Sequence, residues 1–129
     1  MIAAVKPAGV ANFNIHFKNG QYNRGRAYTT GCSYGPTVGP LVVVALRPNM
    51  TRDQFPYCVA QGRGYLGIET YSMKEIALEI TAHELRHLWQ RKVPRGWRVW
   101  GAKGQYSERD ADAYALRMLR RYRRGELGC

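Results

Sequence analysis

The stretch TAHELRHLWQ (81–90) decides how the second half of the chain is read. His83 and His87 stand four residues apart, with Glu84 directly after the first and a mostly apolar background. Of the three histidines in the chain, two are here. Around them, Ile76, Ile80, Leu85 and Leu88 form a helical apolar stripe, and Ser72 with Glu75 has the spacing of a capping box. A helix is therefore expected over 73–91, ending before Pro94, which cannot continue it. The segment VPRGWRVWGAKGQY (93–106) reads as a loop. A second helix is expected to open at Ser107 and run to Arg124, with Gly125 as its stop.

Working backwards, the first half reads as β. In NFNIHFK (12–18), Phe13, Ile15 and Phe17 alternate with Asn14, His16 and Lys18, the period of a half-buried strand. Asn19-Gly20 follows, a hairpin signal, so a second strand over 21–29 is expected to pair with the first. TTGCSYGPTVGP (29–40) is turn-rich. LVVVALR (41–47) is apolar and β-branched and reads as a central strand ended by Pro48. Residues 51–64 look irregular, with one helical turn after Thr51, and GYLGIETY (64–71) supplies a final strand. The fold class is thus α+β: an N-terminal, antiparallel-rich sheet, then two helices. One domain is expected over 1–129, with 1–71 mainly β and 72–125 mainly α.

Composition narrows the function classes. The longest apolar run, LVVVAL (41–46), is far short of the ~20 residues a membrane span needs, so no membrane partner is expected. The N-terminus lacks the pattern of a secretory signal, which predicts a cytoplasmic protein. Cys32, Cys58 and Cys129 are odd in number and show no CxxC spacing, so reduced thiols fit better than a disulfide framework. The net charge of +11 is concentrated in 86–124 and points to an anionic partner, either nucleic acid or an acidic protein.

The two histidines carry the chemistry. Side chains at i and i+4 lie on one helical face about 6 Å apart, so His83 and His87 can converge on one metal ion. A catalytic zinc keeps three protein ligands and one open position, and lowers the pKa of water there to about 7. Glu84 is placed to take that water's proton and pass it to a leaving amine. By chance, a chain of this composition would hold an HExxH roughly three times in a thousand, so a third ligand is needed to support the reading.

SERDADAYALR (107–117) supplies it. Glu108 falls at the first position of the expected second helix, where the dipole favours a carboxylate, twenty-one residues beyond His87. Asp112 lies one turn later on the same face, placed to accept the second ring N–H of a ligand histidine. Asp110 points to another face and is the rival ligand, less favoured on geometry.

HELRH followed by an acidic helix with E-x-x-x-D resembles the gluzincin clan of zinc metallopeptidases. ERDADAYA (108–115) is similar to the E-x-x-A-N-x-F-A element of ImmA/IrrE-type peptidases, with Asp112 for Asn and Tyr114 for Phe. The resemblance covers 81–115, and Arg86 stands where those peptidases commonly have glycine. It implies a zincin-like fold, one Zn2+ per chain held by His83, His87 and Glu108, and Glu84 as general base. It further implies hydrolysis of a protein or peptide substrate, with a donor that steadies the oxyanion. Tyr106, Tyr114 and Arg86 are the candidates for that role. An edge strand within 21–30 or 29–40 would bind the peptide backbone.

The alternative reading is a basic nucleic-acid-associated protein, or a DNA-associated protease, in which the metal site is structural or silent. His16, on the polar side of its strand, is expected to face solvent. Trp89, Trp97 and Trp100 are expected to anchor the core and the loop after the first helix.

Overall fold

The apolar run 41–46 does become a central strand. The computed structural model describes residues 14–28, 41–62, 65–92 and 105–126. In it β3 (Leu41–Leu46) lies between β1 (Asn14–Asn19) and β2 (Arg24–Tyr28). β1 pairs parallel to β3, with Asn14 opposite Leu41, and β2 pairs antiparallel, with Arg24 opposite Ala45. The expected hairpin of the first two strands is therefore not formed. Leu41–Ala45 are all buried, and a buried strand needs hydrogen-bonding neighbours on both sides, so β3 takes the middle. The more polar β1 and β2, with His16, Lys18, Arg24 and Arg26 exposed, take its flanks.

Asn19-Gly20 serves that arrangement. The Gly20 N–H donates to Leu46 O at 2.9 Å, and a Cβ at Gly20 would stand 2.9 Å from the Cβ of Ala45. Residues 20–23 then cross the end of β3, a span of about 10 Å for two strand spacings. Asn23 secures the crossing by accepting the Arg47 N–H on Oδ1 at 2.6 Å. Of the strand residues expected to point inward, Ile15 packs against the core but Phe17 is 43% exposed, because β1 is at a margin of the sheet.

A short 3-10 turn, Arg52–Gln54, follows Thr51 as expected. The stretch after it, expected to be irregular, instead holds β4 (Tyr57–Gly62), which pairs antiparallel with β5 (Tyr65–Thr70). The strands thus form two small sheets rather than one. The β4 segment YCVAQG gives little period-two signal, since among its described side chains only Val59 is buried.

The helices are α1 (Met73–Lys92) and α2 (Gln105–Arg123). α1 is not the one-sided amphipathic helix its stripe implies. Every residue from Leu78 to Leu85 is buried, because α2 and both sheets pack around it. α2 starts two residues earlier than expected, so Ser107 lies inside its first turn and Glu108 is its fourth residue. At its end Gly125 has φ 74°, with Gly125 N–H donating to Tyr122 O and Glu126 N–H to Arg121 O, both at 2.9 Å. That is the glycine-terminated stop read from the sequence. No described helix is long and apolar enough to cross a membrane. Cys58 is half-buried and free, while Cys32 and Cys129 lie outside the described residues.

The helices run antiparallel: Gln90 faces Ser107, His83 faces Asp112, and Glu75 faces Arg123. The last pair clamps the far end. Ser72 Oγ accepts the Glu75 N–H at 3.2 Å, but the Glu75 carboxylate completes no capping box. It accepts instead from Tyr71 N–H at 2.9 Å and from Arg123 at 2.7 and 3.0 Å. These bonds from Arg123, opposed by burial, hold the Glu75 carboxyl below the usual glutamate value.

A lowered folded pKa contributes stability above the ordinary glutamate value, which is lost as pH falls through the folded one. Arg123→Ala is expected to cost about 1–3 kcal/mol in urea unfolding at pH 7, with the gap to wild type narrowing at about pH 3.

Candidate metal centre

Because α1 is enclosed, every polar side chain on it needs a partner, and among the described residues no buried side-chain nitrogen or oxygen lacks one. Glu79, His83, His87 and Gln90 follow one another at helical spacing toward α2. His83 Nδ1 meets Asp112 Oδ1 at 2.7 Å, and the second Asp112 oxygen accepts the Leu66 N–H of β5 at 2.8 Å. Asp112, 1% exposed, thereby joins α1, α2 and β5.

The second imidazole is held by an amide. Gln90 Nε2 donates to Ser107 O at 2.9 Å and to Asp110 Oδ2 at 2.8 Å. Those acceptors orient the amide so that Oε1 accepts from His87 Nδ1 at 2.9 Å and from Ser107 Oγ at 2.7 Å. Both rings therefore carry their Nδ1 hydrogens toward oxygen acceptors and present Nε2 to the same point.

At that point the Nε2 atoms are 3.0 Å apart, and each is 3.0 Å from an oxygen of Glu108. With both rings neutral, the two Nε2 lone pairs and both Glu108 oxygens face one another, an arrangement that a metal ion or a proton on one ring relieves. Ligand atoms around a tetrahedral zinc stand about 3.3 Å apart for bonds of about 2.0 Å, close to this spacing. The donor set thus fits a metal ion. His83, Glu84 and His87 also form a group that can hold a cation, with ligand atoms all within 4.8 Å of one another. Glu79, His83 and Asp112 form a second, overlapping group that can hold a cation.

The electrostatics favour positive charge here. Burial opposes protonation of His83, but hydrogen bonds to Asp112 and Glu108, and the negative Glu84 and Glu79, raise it well above the usual imidazole value. Glu79 is 2% exposed, and burial, with Asp112 and Glu84 nearby, pushes its carboxyl well up against the lowering effect of His83.

The structure brings Glu108 to both histidines and takes Asp110 elsewhere. Asp110 accepts from Arg86 Nε at 2.9 Å and Nη2 at 3.3 Å. Burial would raise its carboxyl, but the bonds from Arg86 and Gln90 hold it low. Arg86 also lies over the Trp89 ring at 3.6 Å. The buried Tyr114 sits beneath Arg86 and Arg117, at 5.3 and 5.7 Å. The Tyr106 side chain lies outside the described residues. So do Trp97, Trp100 and the segment 29–40, whereas His16 is exposed as expected.

A cleft of about 110 Å³ opens beside the group, lined by Asn23, Gly25, Val59, His83, Glu84 and Asp112 among others. Gly25 of β2 is necessary for it. A Cβ there would stand 2.5 Å from Ile80 Cγ2 and 2.7 Å from Glu84 Cγ. Gly25, Glu79 and Gln90 are absent from the sequence reading. Signals existed: Glu79 and Gln90 continue the helical spacing of the histidines, and a lone glycine in a strand marks a close approach.

No protein-family model, curated protein or solved structure matches the chain.

A raised carboxyl pKa contributes stability that is complete below the ordinary glutamate value and is lost as pH rises toward the folded one. Glu79→Gln keeps a donor to Asp112 without that loss. The stability of Glu79→Gln relative to wild type is therefore expected to increase from about pH 5 to pH 8, in denaturant unfolding with chelator present. A constant difference over that window would mean Glu79 is ionised in the fold.

Proposed function

We propose that the protein is a zinc-dependent peptidase of gluzincin type, with His83, His87 and Glu108 as metal ligands and Glu84 as general base. The observation that supports this most strongly is the convergence of His83 Nε2 and His87 Nε2, 3.0 Å apart, on the Glu108 carboxylate, each 3.0 Å from a different one of its oxygens, with both Nδ1 atoms committed to Asp112 and Gln90. Two histidines and one carboxylate are the donor set of an open, catalytic zinc site, whereas closed structural sites favour cysteine.

Bound zinc supplies Lewis acidity, polarising a carbonyl oxygen and lowering the pKa of water. The chain's residues do the rest. Glu84, within 4.8 Å of both imidazoles and on the wall of the cleft, accepts a proton from water and returns it to the departing amine. Asp112 and Gln90 keep the imidazoles in the tautomer that leaves Nε2 as a donor of electrons. Gly25 keeps β2 from displacing Glu84. The scissile bond enters by the cleft between β2 and α1, whose lining includes His83 and Glu84. The resemblance of HELRH and ERDADAYA to gluzincins supports a peptide rather than another acyl substrate.

Glu84→Gln tests the reading. Zinc-loaded wild type is expected to cleave members of a random-sequence, fluorescence-quenched peptide library. Glu84→Gln should bind equal zinc and lose about 10²–10⁴-fold in kcat/KM. An active Glu84→Gln protein, or a zinc-loaded wild type that cleaves no library member, contradicts it.

A further inference from the structure

We propose that the C-terminal half of α2 is a nucleic-acid-binding face that grips the phosphate backbone through Arg117, Arg120, Arg121 and Arg124. This surface is separate from the metal centre, and the proposal does not depend on the proposed activity.

Residues 113–125 hold five arginines, no lysine and no carboxylate. Four of them line an open groove of about 500 Å³, together with Tyr114 and Met118. The fifth, Arg123, is spent on Glu75 and the Glu69 carbonyl. No described carboxylate forms an ion pair with Arg117, Arg120 or Arg121, and Arg124 meets only the exposed Glu126. Arg117 is steadied by lying over the Tyr114 ring.

Such a cluster is costly in isolation. Arg117 with Arg121, and Arg120 with Arg124, are like charges at i and i+4, each pair repelling. The helix dipole compensates cations in the last turn, but Arg117 lies outside that reach. A polyanion that neutralises all four removes the repulsion.

Two features select a phosphate backbone over an acidic protein. First, all the cations are guanidinium forks, which match phosphate oxygens two at a time. From Arg117 to Arg124 the helix rises about 10 Å, a length over which a duplex offers about six phosphate charges. Second, Tyr114 and Met118 are buried, so the groove offers no exposed apolar anchor of the kind that dominates protein–protein contacts.

The test is binding of a mixed-sequence 20-base-pair DNA duplex to the full chain by fluorescence anisotropy, from 50 to 200 mM salt. Four neutralised phosphates predict a log–log slope of affinity on salt of about −3.6. The variant R117Q/R120Q/R121Q should flatten that slope by about 2.7 and bind at least about tenfold more weakly. A control, R47Q/R52Q/K74Q, removes the same charge from exposed positions elsewhere and should retain the wild-type slope. If the triple arginine variant fails to fold by circular dichroism, Arg117→Gln and Arg120→Gln singly should each flatten the slope by about 0.9. Equal losses in both triple variants would overturn the proposal, since net charge alone would then explain binding. Absence of duplex binding, or polyglutamate binding that the duplex does not displace, would overturn it as well.

Discussion

The hydrogen bond from His83 Nδ1 to Asp112 Oδ1, 2.7 Å long and buried at both ends, is the contact on which the rest of the structure depends. It fixes the register of α2 against α1, and the second Asp112 oxygen ties in β5 through Leu66 N–H. Once that register is set, Glu108 comes to the two Nε2 atoms, Ser107 to Gln90, and Arg123 to Glu75. A buried carboxylate without such partners would cost several kcal/mol, roughly 3–5 when one partner of a buried pair is removed. The packing of the helices and the geometry of the site are therefore one constraint. A helix enclosed on all sides can carry Glu79, His83, Glu84, His87 and Gln90 only if their partners are present.

Much of this was legible in the sequence, for a specific reason. Helical spacing is rigid, so HELRH and E-x-x-x-D specify which atoms share a face before any tertiary contact is known. Gly25, Glu79 and Gln90 were not legible in the same way. A glutamate and a glutamine on a helix ordinarily belong to its solvated face, and only the packing of α2 and both sheets around α1 makes them interior groups. Local pattern also misled in the β half. Asn19-Gly20 has the chemistry of a hairpin turn, yet the demand of LVVVAL for neighbours on both sides separates β1 from β2. β4 was hidden because YCVAQG carries no clear alternation.

Two surfaces emerge from the same pair of helices. Toward β2, His83, Glu79, Glu84 and Asp112 line a small cleft whose electrostatics favour a cation. At the C-terminal half of α2, arginines line an open groove suited to polyanions. Arg86, inside HELRH, pairs with Asp110 and lies over Trp89 and Tyr114, the ring that also supports Arg117.

The central claim is that His83, His87 and Glu108 form a single three-ligand metal site. Elemental analysis of zinc per chain, on wild type, Glu108→Ala and Asp110→Ala after reloading at neutral pH, tests it most directly. The account predicts one zinc per chain in wild type and Asp110→Ala, and loss or marked weakening in Glu108→Ala. A wild-type chain that binds no zinc, or a Glu108→Ala chain that binds it as tightly as wild type, would contradict the account.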